Sequence, residues 1–155
     1  MSYDPASLLR LENFLPYRLS ILSNTISGSI AAMYAERFDL SIPEWRIMAV
    51  LGRHPNLSAI EVAERTLMDK VAVSRAVAKL LKTGRLNREF ADKDKRRSIL
   101  ALSDQGVEVH AAVAKLALQY EQDLLQGLSE SEVEDLNRLS ERLLARARLI
   151  GSPRS

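Results

Sequence analysis

Cysteine is absent from this chain of 155 residues, which excludes disulfide bonds, thiolate metal sites and cysteine-based redox sensing. Aromatic residues make up only 5% of the chain, so a core has to be built mainly from Leu, Ile, Val and Ala. The two histidines, His54 and His110, are far apart and lack acids at ligand spacing, and we expect no metal site and no cofactor. No apolar run approaches the ~18 residues of a membrane span. With no signal-peptide pattern at the N-terminus either, we expect a cytoplasmic, single-domain protein.

Positive charge is concentrated in one short segment. Residues 65–97 hold eleven Lys or Arg and four acidic residues, a local charge of +7, whereas the remaining residues hold eleven basic and sixteen acidic side chains. The two parts, +7 and −5, sum to the net charge of +2. Such a distribution predicts a face that binds a polyanion on an otherwise acidic body.

Apolar periodicity and helix-start signals predict a mainly helical fold. The first apolar stripe has gaps of three and four from Leu8 to Met33, and Pro16 predicts a kink or a fresh helix start within it. Three capping boxes, Ser41–Glu44, Ser58–Glu61 and Ser129–Glu132, open further helices. In the short helix after Ser58 we expect Ile60, Ala63 and Leu67 to face inward. Asp69 is the expected N-cap of a helix over 70–83, with Val71 or Val73 on its buried face, and Ser103 that of a long helix ending near Gly127.

The order of these elements predicts a winged helix-turn-helix. The helices at 58–67 and 69–83 form the helix-turn-helix, and the alternating residues at 86–102 predict a β-hairpin with a charged tip, the wing. The recognition helix of such a unit lies in the DNA major groove. We therefore predict DNA contacts from its exposed positions and from the wing, namely Lys70, Ala72, Ser74, Arg75, Lys79, Lys95, Arg96 and Arg97. Arg75 can donate twice to a guanine, and Ala72 or Val73 could touch a thymine methyl.

Two segments resemble the multiple-antibiotic-resistance regulator (MarR) family. One runs from Met68 to Val77, and the other combines 92–97 with 100–103. The Asp-x-Arg signature of the family's wing is matched by Asp94 and Arg96, and its nearby glycine by Gly106, while Ser103 stands where Thr is commoner. The resemblance implies that Asp94 shapes the wing. It also implies one MarR-like domain over 1–155, with a DNA-binding lobe at 40–102 and dimerisation helices at 1–38 and 103–150.

The family's function follows as an expectation from the resemblance. It implies a homodimeric repressor, released from a palindromic operator by a small aromatic acid or its coenzyme A thioester. Within the family, the stretch from Ile42 to Arg46 and the recognition-helix motif are most similar to the branch that controls hydroxycinnamate breakdown. The residues expected at the effector are aromatic or cationic: Tyr17, Arg18, Trp45 and Arg46.

Three other functions are alternatives to a ligand-responsive repressor. An architectural or constitutive DNA-binding protein would share the basic segment and lack an effector. A protein-interaction adaptor would keep the fold but would no longer bind an operator. An enzyme is disfavoured, because the sequence contains no Gly-rich phosphate loop, nucleophile elbow or plausible histidine–acid pair.

Overall fold

The computed structural model describes residues 8–90 and 98–151. Its elements are a short 3-10 helix (Leu11–Asn13), then α1 (Leu15–Phe38), α2 (Ile42–Arg53), α3 (Ala59–Thr66), α4 (Lys70–Lys82), β1 (Leu86–Phe90), β2 (Ser98–Leu102), α5 (Asp104–Leu125) and α6 (Glu130–Gly151). The predicted mainly helical fold with one hairpin is confirmed. The described residues divide into two compact units between Leu116 and Ala117.

Helix starts lie where the sequence signals placed them. Pro16 occupies the first turn of α1, which confirms a fresh helix start rather than a kink. In each of the three capping boxes the serine hydroxyl accepts a backbone N–H and the glutamate accepts the N–H of that serine, as in the Ser58–Glu61 pair at 3.2 and 2.7 Å. These bonds satisfy donors that a helix N-terminus otherwise leaves unpaired.

The core of the first unit is formed by α2, α3, α4 and the hairpin, with Tyr34 and Val113 contributed by α1 and α5. Ile47, Met48, Val62 and Leu100 are fully buried within it, as part of a mainly aliphatic cluster. The expected inward face of α3 is wrong at two positions. Ile60 is 61% exposed and Leu67 is 84% exposed, because Leu67 takes the left-handed conformation that ends α3, and Val62 is buried instead.

The hairpin pairs its two strands in antiparallel register, with Leu86 opposite Leu102 and Arg88 opposite Leu100. Backbone hydrogen bonds between Leu57 and Leu100 attach it to the loop before α3. A side chain at Gly106 would collide with the carbonyl oxygen of Arg85, so only glycine lets α5 approach the start of the hairpin this closely. The Ser103 hydroxyl accepts the Gly106 N–H at 3.0 Å, which confirms the predicted cap of α5.

Candidate nucleic-acid interface

The recognition helix α4 is fixed at its start by Asp69. One carboxylate oxygen of Asp69 accepts the Ala72 N–H at 2.9 Å, so Asp69 is a cap, and its negative charge suits the helix N-terminus. Behind the helix, Val73, Ala76, Val77 and Leu80 are buried in the core. The burial of this face leaves the opposite face of α4 open to an incoming ligand.

The open face of α4 carries four of the predicted DNA contacts. Lys70, Ser74, Arg75 and Lys79 are exposed, while Ala72 is half-buried. The expectation that Val73 could touch a thymine methyl is wrong, because only 2% of Val73 is exposed. Val71 is 61% exposed on the outer face instead. The sequence did not separate the two valines because both are compatible with a helical stripe that starts at the N-cap.

Lys79 differs from the other three cations on this helix. Its Nζ lies 3.0 Å from Oε1 of Glu44 and 3.7 Å from a carboxylate oxygen of Asp39. Burial raises the pKa of Glu44, but hydrogen bonds from the Ser41 backbone and from Lys79 outweigh it, and the net pKa is lowered. The hydrogen bond to Glu44 in turn raises the pKa of Lys79. This lysine therefore links α4 to the start of α2, a role that the sequence did not reveal.

Two shallow depressions flank α4. The first, of about 210 Å³, is bordered by Lys70 and Ser74 of α4 and by Arg88 of β1. The second, of about 420 Å³, lies between α4 and the start of α2 and is bordered by Arg75 and Lys79. Cations thus stand on both sides of the exposed face of α4, an arrangement that suits the two phosphate strands bordering a DNA groove.

The wing is described only at its base. Leu86 and Leu100 are buried and hold β1 and β2 against the core beside α4. The predicted tip residues Asp94, Lys95, Arg96 and Arg97 lie outside the described residues. The observed register brings Phe90 and Ser98 opposite each other, the last described pair of the hairpin.

The residues expected at an effector site fall on two helices. Tyr17 and Arg18 lie on the exposed first turns of α1, and Arg46 is exposed on α2. The Trp45 ring packs between Tyr34 and His110, with ring centroids 6.2 and 5.4 Å away. Burial raises the pKa of Tyr34, and the nearby positive charge of Arg46 partly opposes this rise. Of the four, Trp45 lies in an aromatic cluster with Tyr34 and His110, which are not among the residues expected at the effector.

Within the described residues, no helix is both long and apolar enough to span a membrane. In the same part of the chain, His, Asp and Glu side chains form no group of three that could hold a metal ion.

Comparison with known proteins shows what this chain is similar to. Residues 38–97 match the model described as MarR family. The HTH-type transcriptional repressor IacR of Pseudomonas putida is 22% identical over 140 residues, which cover 90% of this chain and 83% of IacR. The HTH-type transcriptional regulator BilQ of Clostridium symbiosum is 31% identical over 93 residues, covering 60% of this chain and 65% of BilQ.

Solved structures show the same fold. A MarR/EmrR family transcriptional regulator from Acinetobacter sp. ADP1 superposes with a TM-score of 0.80 at 25% identity, covering 91% of this chain and 99% of that one. MepR of S. aureus, in a complex with DNA, superposes with a TM-score of 0.78 at 21% identity, covering 86% of this chain and 98% of MepR. The architecture is therefore the winged helix of MarR structures.

Proposed function

From the MarR family match of residues 38–97, we propose that this chain is a DNA-binding transcriptional regulator, a homodimeric repressor that a small ligand releases from a palindromic operator. The observation that carries the proposal is the capped helix α4, which turns Lys70, Ser74 and Arg75 outward beside the base of a hairpin. A helix of this kind fits the major groove with its N-terminal residues against base edges.

The cations of this surface have distinct roles in the proposal. Arg75 has two parallel donors that match O6 and N7 of guanine, and Ser74 can donate or accept beside it. Lys70 and the wing residues Lys95, Arg96 and Arg97 neutralise phosphates, with Asp94 shaping the wing. The IacR relative is named a repressor and the MepR neighbour was solved with DNA, and both support this assignment.

A second copy of the chain is the proposed partner of the terminal helices. In the single chain none of the residues of α6 is buried, although it carries Leu136, Leu139 and Leu143 along one stripe, each 45–47% exposed. Leucines of α1, such as Leu15 and Leu19, are likewise 46% exposed. We propose dimerisation through 1–38 and 103–150, with the lobe at 40–102 binding DNA. A two-fold dimer presents two recognition helices to half-sites one helical turn apart.

The effector part of the proposal rests on aromatic and cationic side chains near α2. Arg46 offers an exposed guanidinium, and Trp45 offers a ring that is only partly covered. Together with Tyr17 and Arg18, they suit an aromatic acid or its coenzyme A thioester, of the hydroxycinnamate type. Such a ligand can release the protein from DNA only if it binds two conformations with different affinity, one whose recognition helices have the spacing that fits DNA and one whose spacing does not.

One observation favours a regulator without an effector. The Trp45 ring is already packed by Tyr34 and His110 of the same chain, so it does not need a ligand to complete its contacts. A thermal-shift panel of aromatic acids and their thioesters separates the two functions. A ligand that binds only the folded state adds RT ln(1 + [L]/Kd) to the free energy of unfolding, and this raises the melting temperature. No shift with any member would favour the effector-free regulator.

Fluorescence anisotropy with duplex DNA from the gene's own upstream region tests DNA binding directly. We expect tight binding that weakens steeply as salt rises, since phosphate contacts release counterions. Sedimentation of the free protein should show a dimer. A protein that leaves duplex DNA unbound even in dilute buffer would refute the proposal, and would favour an adaptor that kept the fold.

A further inference from the structure

Arg88 lies on the inner face of the hairpin, beside the recognition helix. In β1 it alternates with Asn87 and Glu89 and shares its face with Leu86, which is buried against the core. Its partner across the hairpin is Leu100, which is fully buried. Arg88 is thus the first exposed residue on the strand face that packs towards α4, and its backbone is held by the hairpin register.

The first depression beside α4 brings Arg88 together with two residues of the recognition helix. Lys70 and Ser74 border it on the α4 side, Arg88 borders it on the β1 side, and Ala63, Val73 and Val77 form its apolar floor. Within the described residues, neither Lys70 nor Arg88 forms a salt bridge. Two cations and a hydroxyl therefore surround a recess of about 210 Å³ with no carboxylate among its lining residues.

We propose that Arg88, together with Lys70, binds one backbone phosphate of the DNA strand that borders the groove occupied by α4. This inference rests on the proposed DNA-binding function and extends it to a residue outside the recognition helix and the wing tip. The outer face of α4, with Val71 and Arg75, points at base edges, whereas the recess lies on the flank of the helix, where an inserted helix meets the sugar–phosphate backbone.

The chemistry of the recess favours phosphate over a base edge. A guanidinium donates two parallel hydrogen bonds to phosphate oxygens, and the Lys70 ammonium can supply a further donor. The aliphatic stem of Arg88 can lie over the apolar floor while its charged end stays at the rim. A contact of this kind fixes the position of the protein on the duplex and carries no information about sequence.

The salt dependence of DNA binding tests this proposal with the full-length protein. The probes are a fluorescent duplex from the upstream region and a duplex of arbitrary sequence. For Arg88→Gln we expect the slope of log K against log [salt] to become shallower by about 0.9, the value for one phosphate contact. Affinity should fall on the order of tenfold on both duplexes alike, as expected for a phosphate contact. Arg88→Lys should restore most of the slope, since it keeps the charge.

Two further variants make the outcome decisive. Arg138→Gln, on α6 in the second unit, removes the same charge from an exposed ion pair with Asp135 and should leave the slope unchanged. Lys70→Gln should reproduce the loss of slope, which keeps the test valid if Arg88→Gln lowers the melting temperature.

Three results would overturn the inference: an unchanged slope for Arg88→Gln, a loss confined to the upstream duplex, or an equal loss of slope in Arg138→Gln. If the wild type ignores both duplexes, the proposed function itself fails. If the wild type binds with a steep slope that Arg88→Gln retains, only the role of Arg88 fails.

Discussion

The Nζ atom of Lys79 lies 3.0 Å from Oε1 of Glu44, a residue that is only 2% exposed. The other oxygen of this carboxylate accepts the backbone N–H of Ser41 at 2.8 Å, which starts α2. One buried carboxylate therefore holds both the beginning of α2 and the last turn of the recognition helix. A buried charge is tolerated only when it is paired and hydrogen-bonded, so Lys79 has a structural role whether or not it also meets DNA.

Replacing Lys79 with Gln should destabilise the fold. The variant leaves the buried Glu44 carboxylate without its cation, and the loss of one partner of such a pair is costly. We expect a lower melting temperature by circular dichroism. The pKa of Glu44 is lowered in the folded state, so the stability that the pair contributes is present above the ordinary carboxyl value of 4.5 and is lost as the pH falls through the lowered value.

Lys82→Gln is the matched control for Lys79, because Lys82 is exposed near the end of the same helix and loses the same charge. Its melting temperature should stay close to that of the wild type. Equal melting temperatures for the two variants would show that the Glu44–Lys79 pair contributes no stability.

The stability of the protein should fall as the pH drops below the ordinary histidine value of 6.5, through His110. Burial lowers the pKa of His110 from its ordinary value of 6.5, while its ring stays packed on Trp45. The unfolded state then takes up a proton first, and the free energy of unfolding decreases as the pH falls through the unfolded and then the folded pKa. His110→Phe keeps an aromatic ring and should flatten this part of the pH profile, measured by urea unfolding at several pH values. An equally steep profile in the variant would assign the effect to another group.

Gly52 and His110 should be energetically coupled. A Cβ at Gly52 would enter the His110 ring, lying 2.8 Å from its Cδ2. The ring is held by Trp45, so we expect Gly52→Ala to lower stability, although Ala is favoured over Gly in a helix by up to about 1 kcal/mol. In a His110→Ala background the clash is gone, and Gly52→Ala should become neutral or stabilising. A double-mutant cycle by urea unfolding measures this coupling, and purely additive effects would contradict it.

Local sequence signals predicted the starts of the helices because their causes are local. A capping box needs only a serine and a glutamate three residues apart, and each of the three boxes is formed as expected, including Ser41 with Glu44. The alternation of residues around a polar centre predicted the hairpin. The position of Asp69 just before a helical stripe predicted that it is an N-cap. The fold class was therefore accessible from the sequence.

The sequence was a weaker guide to which residues of a short helix are buried, and to which residues of different elements are in contact. Apolar spacing predicts that Ile60 and Leu67 face inward on α3, but an eight-residue helix has too few turns for periodicity to fix its orientation. Glu44 and Lys79 are 35 residues apart in the chain, and nothing local links them. The sequence does not single out Arg88, because it is one of four exposed residues in β1. Only the packing of the strand against α4 reveals its neighbours.

Arg75 is the residue whose replacement should change sequence recognition. It is exposed on α4, one residue before the buried Ala76, and borders the second depression. Arg75→Ala should cost about 1–3 kcal/mol of operator binding and relax the preference at one base pair, because two donors to a guanine are lost. Binding to a set of single-base operator variants measures both effects. Arg75→Lys is the matched control: it keeps the charge but not the two-pronged geometry, and should recover non-specific affinity without the base preference. If Arg75→Ala weakened all duplexes equally, Arg75 would be a phosphate contact, and the base-reading side of α4 would have to be assigned to Val71 and Ser74.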